Sequence, residues 1–140
     1  MTCPRFNGRP KFNLLKASVA QRLPFVDDEM GLVFTCGALI HIAPADLRRA
    51  IREVFRVSSK YVLIMEYAAD KETVIPYHGQ EAALWVRDWP REVNVALAGD
   101  FRIQQQQQYE REWQLTWTCP LGKDQGFDDV TAYLYERKSE

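Results

Sequence analysis

Apolar residues gather along this chain in three ways, and each grouping predicts a different element. The first is the run Leu32-Val33-Phe34, closed by the small residues Thr35, Cys36 and Gly37 and resumed by Ala38-Leu39-Ile40. It is too short for a membrane span and rich in β-branched and aromatic side chains. It therefore predicts a strand over Leu32–Ile40, buried on both faces as in a parallel sheet covered by helices. The second grouping is helical: after Pro44, the residues Leu47, Ala50, Ile51, Val54 and Phe55 recur on one stripe. Proline suits the first helical position. Arg48, Arg49, Arg52, Glu53 and Arg56 fill the remaining surface and are expected to form a solvated face. The third grouping, Tyr61 to Tyr67, predicts another buried strand after a turn at Ser58-Ser59-Lys60.

Strand, helix and strand within about 37 residues make a βαβ unit, whose two strands run parallel and end on the same rim. That rim brings Thr35–His41 beside Glu66–Tyr67. Small residues at the end of a buried strand leave room for a ligand, and open α/β sheets bind at such ends. A carboxylate placed there, Glu66, is a candidate for binding or general-base work.

The rest of the chain is patterned less strongly. Met1–Lys11 reads as irregular, Phe12–Ala17 as a short strand, and Ser18–Asp28 as a connection with Leu23-Pro24-Phe25 tucked against the core. Asp70–Gly79 reads as a loop, Gln80–Arg87 as a short helix ended by Trp89-Pro90, and Arg91–Ala98 as a helix stopped by Gly99. Phe101–Glu112 reads as a strand carrying five glutamines, Gln114–Gln125 as a loop, and Asp129–Glu136 as a final strand.

Composition narrows the classes. A chain of 140 residues is read as one domain, 1–140, with 46% hydrophobic and 26% charged residues, ordinary for a soluble globular protein. The net charge of -1 removes the electrostatic case for a nucleic-acid partner. No apolar run approaches the roughly 18 residues of a membrane span, and no charged-then-apolar leader opens the sequence, so no membrane partner and a cytoplasmic location are expected. Cys3, Cys36 and Cys119 are odd in number and widely spaced, against both a disulfide framework and a CxxC metal site; no metal is expected.

Five segments then combine: LVFTCGALIHIAPADL (Leu32–Leu47), REVFRVSSKYVLIMEY (Arg52–Tyr67), IPYHGQ (Ile75–Gln80), LWVRDW (Leu84–Trp89) and DDVTAYLYE (Asp128–Glu136). Together they resemble the C-terminal half of a class I S-adenosylmethionine-dependent methyltransferase, most of all the pseudaminic acid biosynthesis-associated methylases. The resemblance implies a partial Rossmann-like α/β sheet, with strands similar to the third to seventh of that fold and without its N-terminal glycine-loop unit. Leu32–Ile40 would be the fourth strand, Tyr61–Tyr67 the fifth, and Phe101–Glu112 with Asp129–Glu136 the antiparallel terminal pair. Residues 75–100 would form an acceptor-side insertion.

The resemblance also implies chemistry. S-adenosylmethionine would be the cofactor, bound by Ser18, Thr35, Cys36, Gly37 and His41. A small acceptor, a sugar or sugar derivative, would meet Tyr67, Tyr77, Trp85, Arg87 and Asp88, with Trp89 adding to an aromatic wall. Glu66, His41 and His78 would be the catalytic candidates. Three positions depart from the family pattern: Ser18 stands where an acid meets adenine, Gly31 where an aspartate enters the fourth strand, and His78-Gly79-Gln80 where arginine and histidine flank the glycine. The glycine-rich turn and the ribose-binding acid of such sites are missing from the sequence. A truncated methyltransferase with half a cofactor pocket is therefore expected, a non-catalytic or complementing subunit being the alternative. The edge of Leu32–Ile40 would then be bare and apolar, and is expected to pair in a homodimer or with a complementing chain.

Overall fold

The structure, a computed structural model, describes residues 14–98 and 113–139. The predicted βαβ unit is present as β1 (Met30–Cys36), α1 (Pro44–Arg56) and β2 (Ser58–Glu66). The two strands pair in parallel, with Val33 beside Val62 and Thr35 beside Ile64. An antiparallel hairpin follows, β3 (Thr73–Tyr77) and β4 (Gln80–Val86), then α2 (Trp89–Ala98), β5 (Trp113–Leu121) and β6 (Val130–Arg137). The main sheet runs β1-β2-β6-β5, with β6 antiparallel to both of its neighbours.

Several expectations are corrected. The opening strand stops at Cys36 and not at Ile40: Gly37 takes φ +59°, and Leu39–His41 closes into a 3-10 turn. Leu14–Ala17 is in no strand and Leu14 is 96% exposed, while Phe12 lies outside the described residues. The main sheet therefore holds four described strands. Residues 80–87 are not helical. His78 and Gly79 both have positive φ, 48° and 78°, and a two-residue left-handed turn matches the twist of a hairpin. The helix after it begins at Trp89, two residues earlier than expected, because Pro90 fits a first turn and Asp88 Oδ1 accepts the Arg91 N–H at 3.2 Å. Residues 114–121 are strand and not loop. Pro120 is tolerated because β5 is an edge strand among the described residues. The expected strand Phe101–Glu112, the Gly99 stop and the irregular Met1–Lys11 lie outside the described residues.

The core is a single cluster on one face of the sheet. Val62, Ile64, Tyr133 and Tyr135 meet Ile51 and Val54 of α1 and Trp89 and Val93 of α2. Phe55 sets its edge against Trp113 and Tyr135, with ring centres 5.0 and 5.4 Å apart. Burial on both faces is not found. Side chains alternate along a strand, so Leu32 and Phe34 point away from this core and stand 52% and 62% exposed.

The charged face of α1 is only partly solvated. Arg49 pairs with Asp46 at the surface, but Arg52 Nε donates to the Ala96 carbonyl at 2.7 Å, tying α1 to α2. Glu53 and Arg56 are largely buried and paired at 2.7 Å. Their free valences hold the connection before β1: Glu53 accepts the Leu23 N–H, and Arg56 donates to the carbonyls of Leu23 and Phe25.

Candidate functional site

The carboxyl ends of β1 and β2 meet at one rim, as parallel pairing requires. Gly37 N–H donates to the Met65 carbonyl at 3.0 Å, so the chain leaving β1 starts its turn against the end of β2. The turn then depends on two side chains. Glu66 is fully buried and accepts three backbone N–H groups: Ala38 and Leu39 on Oε1, both at 3.1 Å, and Ile40 on Oε2 at 3.3 Å. From the other end, Arg87 Nη1 donates to the Leu39 carbonyl at 3.1 Å and Nη2 to the Ile42 carbonyl at 2.7 Å. Helical turns leave N–H groups unpaired at one end and carbonyls at the other, with partial charges to match. A carboxylate at the first end and a guanidinium at the second satisfy both.

Burial pushes the Glu66 carboxyl above the usual carboxylate range, while the N–H groups of Leu39 and Ala38 pull it back. Thr35 Oγ1 lies near enough to favour the ionised form, yet it is buried without a hydrogen bond of regular geometry. Arg87 is also fully buried, its Nε on Glu72 at 2.7 Å and its guanidinium over the rings of Trp85 and Trp89. Both groups are engaged with backbone or neighbours and neither is presented to solvent.

The remaining candidates divide by exposure. Trp85 and Trp89 are buried, Trp89 with its indole N–H on the Tyr67 carbonyl at 2.9 Å, so they do not form an exposed wall. Asp88 caps α2. Ser18 is exposed at a turn closed by Gln21 N–H to its carbonyl. Thr35 points toward the core face, and Cys36 toward the opposite one, exposed.

His41, Tyr77 and His78 come together. The His41 ring lies 5.5 Å from that of Tyr77, and His78 packs edge-on to Tyr77 at 4.2 Å. His41 Nδ1 is 2.7 Å from the Ala83 carbonyl. A carbonyl can only accept, so Nδ1 carries the hydrogen, and in the neutral ring Nε2 is left with a free lone pair. Tyr67 Oη donates to Asp128 at 2.5 Å, and this bond raises the phenol pKa to about 12, helped by burial. Asp128 was not among the sequence candidates. It lies 61 residues from Tyr67, so no local spacing marks the pair. Among the described residues no group of three His, Cys, Asp or Glu is placed to hold a metal, and no helix is long and apolar enough to cross a membrane.

Comparison with known proteins adds a fold assignment. No family model and no curated protein matches the chain. Among solved structures, it is similar to a SAM-dependent methyltransferase from Methanosarcina mazei, with 13% identity and a TM-score of 0.54 over 87% of this chain and 65% of that one. It is similar also to 1,6-didemethyltoxoflavin-N1-methyltransferase of Burkholderia thailandensis, solved with 1,6-didemethyltoxoflavin and S-adenosylhomocysteine bound. There identity is 10% and the TM-score 0.59, over 88% of this chain and 49% of that one. A SAM-dependent methyltransferase from Aquifex aeolicus matches at 15% identity and TM-score 0.51, over 89% of this chain and 54% of that one. The chain thus has part of the class I methyltransferase fold and spans less than two thirds of each neighbour's length.

Proposed function

We propose that this chain supplies the acceptor side of an S-adenosylmethionine-dependent methyl-transfer site, acting in the cytoplasm on a small sugar or sugar-derived acceptor. The reading rests on one observation. The rim where the fold binds ligands carries a turn held at both ends by buried charges, and that turn presents His41 Nε2 beside the exposed ring of Tyr77.

The local chemistry suits one part of the cofactor. Thr35 Oγ1 is a buried polar atom without a regular partner, and Gly37 turns in the left-handed region with open space where a side chain would be. Thr35, Cys36 and Gly37 would line the methionine portion, with Ser18 offering a hydroxyl toward adenine. When bound, the cofactor supplies a methyl group activated by the sulfonium. The sequence has no GxGxG turn of the kind that grips adenosine in such sites. We therefore read the cofactor site as half-encoded here, in a chain corresponding to the C-terminal part of the enzyme.

In this reading the chain's own residues divide the work. His41 Nε2 takes the proton from the acceptor amine or hydroxyl, and Tyr77 packs against the sugar ring. The Tyr67–Asp128 pair orients a polar substituent, and Glu66 and Arg87 position the turn. His78 frames the other side of Tyr77.

A second reading, a non-catalytic subunit, is favoured by the missing glycine turn. Calorimetry with S-adenosylhomocysteine separates the two. The chain alone is expected to show no binding at millimolar ligand, and a complex that completes the site is expected to bind it. In that complex His41→Gln should lower methyl transfer by roughly 10²–10⁴. A completed complex that binds no S-adenosylhomocysteine would overturn methyl transfer and leave the subunit reading.

A further inference from the structure

Glu66 brings an ionisable group into the core at the end of β2, on the face it shares with Val62 and Ile64. The surroundings of its two oxygens differ. Oε1 accepts two N–H groups, from Ala38 and Leu39 at 3.1 Å, whereas Oε2 accepts that of Ile40 at the longer distance of 3.3 Å. An N–H group donates and cannot accept, so these three partners suit the ionised carboxylate and offer nothing to a carboxyl proton. The hydroxyl of Thr35 is different. It comes from β1, is buried without a hydrogen bond of regular geometry, and lies near enough to Glu66 to affect its ionisation. A hydroxyl rotates and either donates or accepts, so it can partner the carboxyl in both of its states.

The charged and titratable groups on the neighbouring elements are engaged elsewhere. Arg87, beyond β4, pairs with Glu72 and donates to the Leu39 and Ile42 carbonyls at the other end of the turn. His41 Nδ1 bonds the Ala83 carbonyl, Tyr67 bonds Asp128, and Asp88 accepts the Arg91 N–H. On β6 the neighbour of Glu66 is Thr131, and the helices bring Leu47, Ile51, Trp89 and Val93 to the core.

We propose that Glu66 is a proton-operated latch on this turn, with Thr35 as the partner of the proton. Ionised, it holds all three N–H groups. Protonated on Oε2 by a proton from water, it keeps Ala38 and Leu39 on Oε1, donates its O–H to Thr35 Oγ1 and loosens its hold on Ile40. Arg87 and the bond from Ile42 N–H to the Leu39 carbonyl keep the second end of the turn in place. The part that responds is therefore Ala38–Ile40, next to Gly37 with its left-handed backbone and open surroundings. That segment leads from β1 to His41, so the latch sets the shape of the rim. Burial favours the neutral carboxyl and holds it above the usual range. The latch thus opens as pH falls through that raised value and closes above it. Protonation removes a buried charge and favours the fold as a whole, while it frees one end of the turn. The inference stands on the geometry of the turn and is independent of the methyl-transfer reading.

The test is NMR of the full chain, labelled in carbon and nitrogen and titrated between about pH 4 and 9. The Glu66 Cδ resonance is expected to titrate with a midpoint above the ordinary value of about 4.3. The Ile40 amide shift should follow it with the same midpoint, changing more than those of Ala38 and Leu39. Protection of the Ile40 amide against exchange should fall about tenfold from the basic to the acid limit. His41→Gln separates the other titratable side chain of the turn, and the shared midpoint should persist in it. Thr35→Val should shift that midpoint by roughly 0.4–1 pH unit, and Thr35→Ser should restore it. The wild-type titration decides by itself should Thr35→Val not fold. The proposal is overturned if Glu66 does not titrate above about 4.3, if the Ile40 amide does not follow it, or if His41→Gln abolishes the midpoint. A folded Thr35→Val with an unmoved midpoint would overturn it as well.

Discussion

Glu66 and Arg87 grip opposite ends of one short turn, the carboxylate on the N–H groups of Ala38, Leu39 and Ile40 and the guanidinium on the carbonyls of Leu39 and Ile42. They stand 21 positions apart, Glu66 at the end of β2 and Arg87 just beyond β4 in an isolated bridge to Ala68, and each is fully buried. Burying a charge is costly unless it is paired and hydrogen-bonded. Here the turn's own terminal groups offset part of that cost for Glu66, although burial still holds its carboxyl above the usual range.

Removing the carboxylate should therefore cost more than a surface substitution. Glu66→Ala leaves three N–H groups without their acceptor, and a loss of about 3 kcal/mol is expected from unfolding in urea. Glu66→Gln retains one acceptor oxygen but turns an amide toward the remaining N–H, so a loss of roughly 1–2 kcal/mol is expected. Hydrogen exchange at residues 38–40 should quicken in both. Unchanged exchange there would show that Glu66 does not hold the turn.

Arg87→Met keeps the length of the side chain and removes its donors. The carbonyls of Leu39 and Ile42 and the Glu72 carboxylate lose a partner, and about 3 kcal/mol of stability should go with it. Tryptophan fluorescence should shift, because the guanidinium lies over Trp85 and Trp89. Combined with Glu66→Gln the losses should not add, since both residues hold the same turn. Additive losses would refute the shared role.

Acid stability should depend on Glu53. The hydrogen bond from Arg56 holds its carboxyl below the usual range, outweighing burial. A lowered folded pKa gives stability that is present above the unfolded value of about 4.3. That stability is lost as pH falls through the lower folded value. Glu66 has the opposite sign: its raised pKa gives a contribution present below about 4.3 and lost as pH rises through the folded value. Glu53→Gln should lower stability near neutrality and flatten the acid limb in urea titrations between about pH 2 and 7. An acid limb as steep as the wild type's would contradict this.

The Tyr67 phenol should report on Asp128. Its pKa of about 12 comes first from the bond to that carboxylate, so Asp128→Asn should bring it down toward the ordinary value of about 10. Ring-carbon NMR of labelled tyrosine would follow the change, and an unmoved titration would show that the pair is not formed in solution.

The hairpin turn is open to a backbone test. Gly79 sits at φ +78° with open space around it, so strain and not crowding decides the outcome. Gly79→Ala is expected to cost about 1 kcal/mol and His78→Asn almost nothing, since Asn tolerates the left-handed region. Equal effects in urea unfolding would argue against the turn.

The elements with strong local patterns were readable directly. The stripe Leu47–Phe55 behind Pro44 specifies α1, and the apolar runs around Val33 and Val62 specify strands whose parallel pairing follows from the helix between them. Gln80–Val86 was harder, because Leu84 and Trp85 fit a short helix as well as a strand. The signal that separates them is His78-Gly79, a pair suited to left-handed turns. Within the loop expected at Gln114–Gln125, Pro120 and Trp117 obscured a strand over 114–121 that exists because β6 offers it a partner.

The candidate site divides along the same line. Sequence alone placed Thr35–His41 beside Glu66, because a βαβ unit puts the ends of its strands on one rim. What each residue does there was decided by contacts over long separations: 26 to 28 positions for Glu66 to the turn, 42 for His41 to Ala83, 61 for Tyr67 to Asp128. Local pattern determines secondary structure because its forces act within a turn or a strand pair. Burial and hydrogen-bond partners depend on which segments meet, and only the tertiary structure could make Glu66 an anchor and Arg87 a clamp.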